Sequence, residues 1–114
     1  MNRIQLTGRL AQEPREGEGK SGKAICELRL AVPRPRARGG HERGAVFVDV
    51  TCFEALAQVC ARHLAKGRLV AVSGRLEQRQ WEGADGQRRQ RHYVVADEVE
   101  FLDPRAVGVE PVAG

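Results

Sequence analysis

Cysteine is scarce: 114 residues hold three, Cys26, Cys52 and Cys60, with no pair at C-x-x-C spacing. An odd count without paired spacing excludes a disulfide framework and a multi-thiol zinc site, and fits a reducing cytoplasm. Apolar runs are short as well. The opening MNRIQLTGRL is too polar for a secretory leader, and no stretch is long enough to cross a bilayer as a helix. No glycine-rich phosphate loop, nucleophile elbow or paired carboxylate occurs at a usable spacing, so neither a catalytic residue nor a cofactor is expected. Cys60 and His63 lie one helical turn apart but have no second pair, an incomplete metal site. Core packing is expected for Cys60 and a helix-end role for His63. His41 and His92 sit in basic, polar stretches that suggest no role.

What the chain has is basic charge, unevenly spread. Of its 19 basic residues 16 are Arg, the better bidentate partner for phosphate. Residues 1–96 hold 18 basic against 10 acidic side chains, whereas residues 97–114 hold 1 against 5. A basic body with an acidic end points to a polyanionic partner, the alternative being a solvated surface of an arginine-rich composition.

Period-2 alternation predicts most of the secondary structure. In Arg3–Gln12, Ile4, Leu6, Gly8 and Leu10 share one face; in AICELRLAV, Cys26, Leu28, Leu30 and Val32 do so. EPREGEGKSGK between them reads as a polar loop, and PRPRARGGHERG after them as a long basic loop. VFVDVTCF is a third strand. In EALAQVCARHLAKG the period becomes helical, through Leu56, Val59, Cys60 and Leu64, with Gly67 as the expected stop. RLVAVSGRLEQRQW and QRHYVVADEVEFL are two more strands around the hairpin signal Asp85–Gly86. Five short strands are too few for two covered sheets. An all-β, five-stranded barrel of the oligonucleotide/oligosaccharide-binding (OB) class, with one α-helix between strands three and four, is the economical solution. Residues 1–103 are expected to form that domain and 104–114 a short flexible tail.

The stretch VFVDVTCF is peculiar. Val46, Val48, Val50 and Cys52 make one apolar face, leaving Phe47, Asp49, Thr51 and Phe53 on the other. Two of the chain's five aromatics thus share a face with groups that suit water. Trp81 has the same parity as Arg75, Glu77 and Arg79, again a ring among charged groups, here with cations. Rings placed so can stack on unpaired bases; the structural alternative is that Phe47 or Phe53 closes a barrel end. Arg34, Arg36, Arg38 and Arg43 in one loop, and Arg79, Arg88, Arg89 and Arg91 around another, supply phosphate partners, with Arg3 and Arg9 weaker candidates on the first strand. Asp49 reads as a hydrogen-bonding surface residue.

Four ordered blocks carry a resemblance: N-R-I-Q-L-T-G-R-L, F-E-A-L-A…H-L-A-K-G, V-A-V-S-G-R-L, and W-E-G-A-D-G-Q…V-V-A-D-E-V-E-F-L. From about residue 2 to residue 103 the chain resembles the bacterial single-stranded DNA-binding proteins. The resemblance implies sequence-independent coating of single-stranded DNA in replication, repair or recombination, a homotetramer, and a cytoplasmic, nucleoid-associated protein without a membrane partner. It places Phe47, Phe53 and Trp81 at the family's base-stacking positions. The site then comprises these with Arg3, Arg34, Arg36, Arg38, Arg75, Arg79, Arg88 and Arg89. The loop after the second strand lacks the family's usual aromatic, and no acidic, Phe-terminated tail follows residue 103, so recruitment of replication or repair enzymes is not expected. A primosome-type or RNA-directed barrel, a metal-dependent hydrolase on this barrel and a protein-interaction barrel are the rival readings.

Overall fold

Alternating side chains and a closed hydrogen-bond ladder organise the molecule in its computed structural model, which describes residues 1–35, 39 and 44–103. The elements are β1 (Ile4–Leu10), β2 (Arg15–Glu18), β3 (Ala24–Pro33), β4 (Ala45–Phe53), α1 (Glu54–His63), β5 (Leu69–Glu82) and β6 (Arg88–Phe101). The sheet runs β1-β5-β6-β4-β3-β2 and closes where β1 also pairs with β3, at Arg9↔Ala31 and Leu10↔Leu30. Among the described residues the pairings are antiparallel except β4–β6, which meet in parallel at Val50↔Val94 and Thr51↔Val95. This is the barrel with one helix that the alternation predicts.

It has one strand more than expected. β2 lies inside the segment read as a loop, paired from Arg15↔Glu27 to Glu18↔Ala24. All four of its residues are exposed, so no apolar alternation marks it; the ladder to β3 alone makes it a strand.

The inward faces meet as expected. Leu10, Cys26, Leu28, Leu30, Val50, Cys52, Val70, Val72 and Val94 are buried, each burial of a Val or Leu contributing about 1.5–3 kcal/mol. The apolar face of β4 runs out of the core toward its start, where Val46 is exposed. Helix α1 plugs one end through Ala57 and Cys60, with Leu64 just beyond. Val59, part of the expected apolar stripe, is instead exposed, because the helix buries the side of Ala57 and Cys60, whereas Val59, about 200° around from Ala57, faces away. Gly67 is not the helix stop. The helix ends at His63, and Gly67 (φ 92°) makes the left-handed turn into β5, donating its N–H to the Leu10 carbonyl at 2.8 Å.

Two close approaches shape the barrel. A Cβ on Gly8 would lie 2.5 Å from the Ala31 carbonyl oxygen, at the closure between β1 and β3. One on Gly74 would lie 2.1 Å from the Val95 carbonyl oxygen, where Asp97 bulges out of the β5–β6 register. From Glu77↔Tyr93 to Glu82↔Arg88, beyond the β4–β6 junction, β5 and β6 pair only with each other and project as a ribbon. Its tip turns at Gly86 (φ 80°), with Asp85 Oδ1 accepting from the Gln87 N–H at 3.0 Å, as the Asp–Gly signal predicts.

The thiols are core residues. Burial pushes Cys26 up to about 11. A hydrogen bond between Cys52 and Cys60 raises the first and lowers the second. Among the described residues, no three His, Cys, Asp or Glu side chains cluster as a metal site.

Candidate nucleic-acid interface

Directly paired residues share a sheet face, so the registers assemble a surface that no single strand reveals. Across β3 and β4, Arg29 pairs with Asp49 and Ala31 with Phe47. Across β5 and β6, Arg75 pairs with Val95, Glu77 with Tyr93, Arg79 with Arg91, and Trp81 with Arg89. The Thr51↔Val95 pair joins the two halves into one outward face.

On this face the large rings are not packed away. Phe47 is 53% and Trp81 38% exposed. Each has a guanidinium over it: Arg29 Cζ lies 5.4 Å from the Phe47 centroid and Arg79 Cζ 5.4 Å from that of Trp81. Tyr93, half-buried, has Arg91 at 5.7 Å. Such pairs contribute about 0.5–1 kcal/mol each at exposed sites and hold ring and cation side by side. A base on the ring thus has a phosphate partner within reach of the same pair. Around Asp49, the residues Gln12, Arg15, Glu27, Arg29 and Arg91 line a cleft.

The expected residues fall into distinct places. Phe47, Trp81, Arg75, Arg79 and Arg89 share the face. Arg75 donates to Glu77 at 2.7 Å, and Arg89 to Asp85 at 2.8 Å. Phe53 has the same parity but lies six residues from Phe47, about 20 Å along β4, at the entry to α1. Arg88 pairs with Glu82 and projects from the opposite face of the ribbon from Trp81. Arg34 is exposed at the base of the loop after β3, its N–H donating to the Gly44 carbonyl at 2.9 Å. Arg36, Arg38 and Arg43 lie outside the described residues, as does the segment 104–114.

Arg3 is elsewhere. It donates to Asp97 at 2.8 Å and to the Ser73 hydroxyl at 2.6 Å, beside the acidic end of β6. The pair holds Asp97 below the usual carboxylate range and raises Arg3. Arg9 likewise donates to the Gly67 carbonyl at 2.9 Å.

One expectation about this face fails. Thr51 does not meet water: it is 7% exposed, covered where β6 docks on β4. Two residues of the face, Arg29 and Tyr93, carry no local signal and are absent from the expected site, and Arg91, expected as a phosphate partner beside the hairpin, joins them through the β4–β6 junction.

Comparison with known proteins follows the same boundaries. Residues 1–102 match the single-strand binding protein family. The chain belongs to that family. A relative from Bacillus cereus, named single-stranded DNA-binding protein, is 40% identical over 110 residues, covering 96% of this chain and 65% of its own. One from Caldanaerobacter subterraneus with the same name is 36% identical over 106 residues, covering 93% and 71%. Single-stranded DNA-binding protein 1 of Staphylococcus aureus is 37% identical over 105 residues, covering 92% and 67%. The chain spans about two thirds of the length of the curated relatives it matches.

Proposed function

We propose that the face carrying Phe47, Tyr93 and Trp81 binds single-stranded DNA without regard to sequence and performs no chemistry on it. The supporting observation is the repeated unit on one continuous surface: an outward aromatic ring with a guanidinium over it, three times across β3, β4, β5 and β6. Every base has a π-face, so stacking is indifferent to sequence; its magnitude, about 1–3 kcal/mol per base, is one known from proteins of this family and taken over from them. Arg34, Arg79 and Arg89, with Arg36 and Arg38, add the backbone attraction that counterion release makes salt-dependent. Phe53 extends the path toward α1.

The names of the relatives favour DNA as the strand, and family membership favours a homo-oligomer, a tetramer, acting at the nucleoid in replication, repair or recombination. Residues 1–103 are then the DNA-binding domain.

Fluorescence anisotropy with labelled oligo-dT, oligo-rU and duplex DNA tests the reading. Tight, salt-sensitive binding of oligo-dT and weak binding of the duplex are expected, because paired bases already stack on each other. Preference for oligo-rU would make this an RNA-directed module, and equal binding of the duplex would refute stacking as its basis.

A further inference from the structure

Asp49 carries a charge that a polyanion should repel, yet it stands at the centre of the face. Its two oxygens reach different strands. Oδ1 accepts from Arg29 Nη1 on β3 at 2.9 Å, and Oδ2 lies 3.8 Å from Arg91 Nε on β6. Among the described ion pairs, no other carboxylate meets two arginines. The same two guanidiniums lie over Phe47 and Tyr93. One carboxylate therefore ties together two ring–guanidinium units that come from opposite sides of the parallel junction at Val50↔Val94 and Thr51↔Val95.

We propose that Asp49 is a positioning residue for strand binding, fixing Arg29 against Phe47 and Arg91 against Tyr93 so that both units meet the ligand already arranged. The role rests on the single-stranded DNA reading of this face and extends it. Two effects of the carboxylate oppose each other. Its charge repels phosphate, weakly, because the group is part-exposed and screened by salt. Its ion pairs restrain two long side chains that would otherwise lose rotamer freedom on binding, and a planar guanidinium held in place loses less per hydrogen bond formed. The rings make the restraint consequential, because an arginine that wanders leaves its ring without a partner.

The two effects predict opposite signs for Asp49→Asn, which makes the test decisive. Simple charge removal strengthens binding of a polyanion. Loss of positioning weakens it: oligo-dT affinity at about 0.1 M salt should fall about 5- to 10-fold, and the logarithmic salt slope should shrink by about 0.7 for each phosphate no longer neutralised. In an Arg29→Gln/Arg91→Gln background, Asp49→Asn should no longer weaken binding, because the groups it arranges are gone and only the small gain from charge removal is left. A purely structural role would instead lower the melting temperature and weaken binding equally in both backgrounds.

Arg29→Lys with Arg91→Lys supplies a second route if Asp49→Asn does not fold. Net charge is kept, but an ammonium cannot hold a carboxylate and lie flat on a ring together, so a similar loss is expected. Unchanged or tighter binding by Asp49→Asn, or wild-type binding by the lysine pair, overturns the role of Asp49 while leaving the binding face intact. A wild-type protein that ignores oligo-dT removes the reading of the face and this role together.

Discussion

Replacing Phe47 by Ala isolates one stacking platform. The ring is 53% exposed, and its partner across the β3–β4 ladder is only Ala31. Its removal leaves no cavity in the core, so folding stability should change by no more than about 0.5–1 kcal/mol, mainly the attraction between the ring and Arg29. Binding should change more. One base is deprived of its platform, about 1–3 kcal/mol, which at about 1.4 kcal/mol per factor of ten is a rise in Kd of about 5- to 150-fold. Anisotropy titration with labelled oligo-dT at fixed salt, beside a thermal melt of the same protein, measures both quantities. An affinity within about twofold of wild type with an unchanged melting temperature would refute the assignment of Phe47. Phe53 makes a poorer probe, because it sits at the start of α1 and its removal would mix binding with folding.

Three other outcomes are expected. Arg79→Gln with Arg89→Gln should reduce the salt slope of oligo-dT binding by about 0.7 for each phosphate released, and an unaltered slope would take the ribbon out of the interface. Gly74→Ala should cost about 1–3 kcal/mol in urea unfolding, because the Val95 carbonyl and Ala96 Cα are backbone atoms that cannot step aside; wild-type stability would contradict this. Asp97 is depressed by Arg3, so the pair stabilises the fold above the unfolded carboxylate value of about 3.9 and ceases to do so as pH falls through the lower native value. Arg3→Gln should therefore lower the melting temperature at pH 7, and the gap from wild type should close in acid; a gap that persists there would contradict the assignment.

Which features the sequence reveals depends on how local their causes are. β1, β3 and β4 are legible because each alternates against one core, and the β5–β6 turn because Asp85 and Gly86 are the residues that turn demands. β2 is not, since Arg15, Glu16, Gly17 and Glu18 bury nothing and owe their strand form to β3. The candidate site divides in the same way. Phe47 and Trp81 stand out by composition and parity within their own strands. Arg29, Arg91 and Tyr93 join them only through pairings between strands distant in sequence, and the same parallel junction buries Thr51. The Arg3–Asp97 pair spans 94 positions, which no reading of local pattern connects.

If bases stack on this face, Trp81, the only tryptophan, reports it directly. Its indole is 38% exposed with Arg79 at 5.4 Å, so a base arriving on the ring must change its surroundings. Intrinsic fluorescence during titration should show strong, saturable quenching by oligo-dT and little by duplex DNA of equal length. Tight binding of oligo-dT, established by anisotropy, with Trp81 emission unchanged would place the strand on another surface of the barrel.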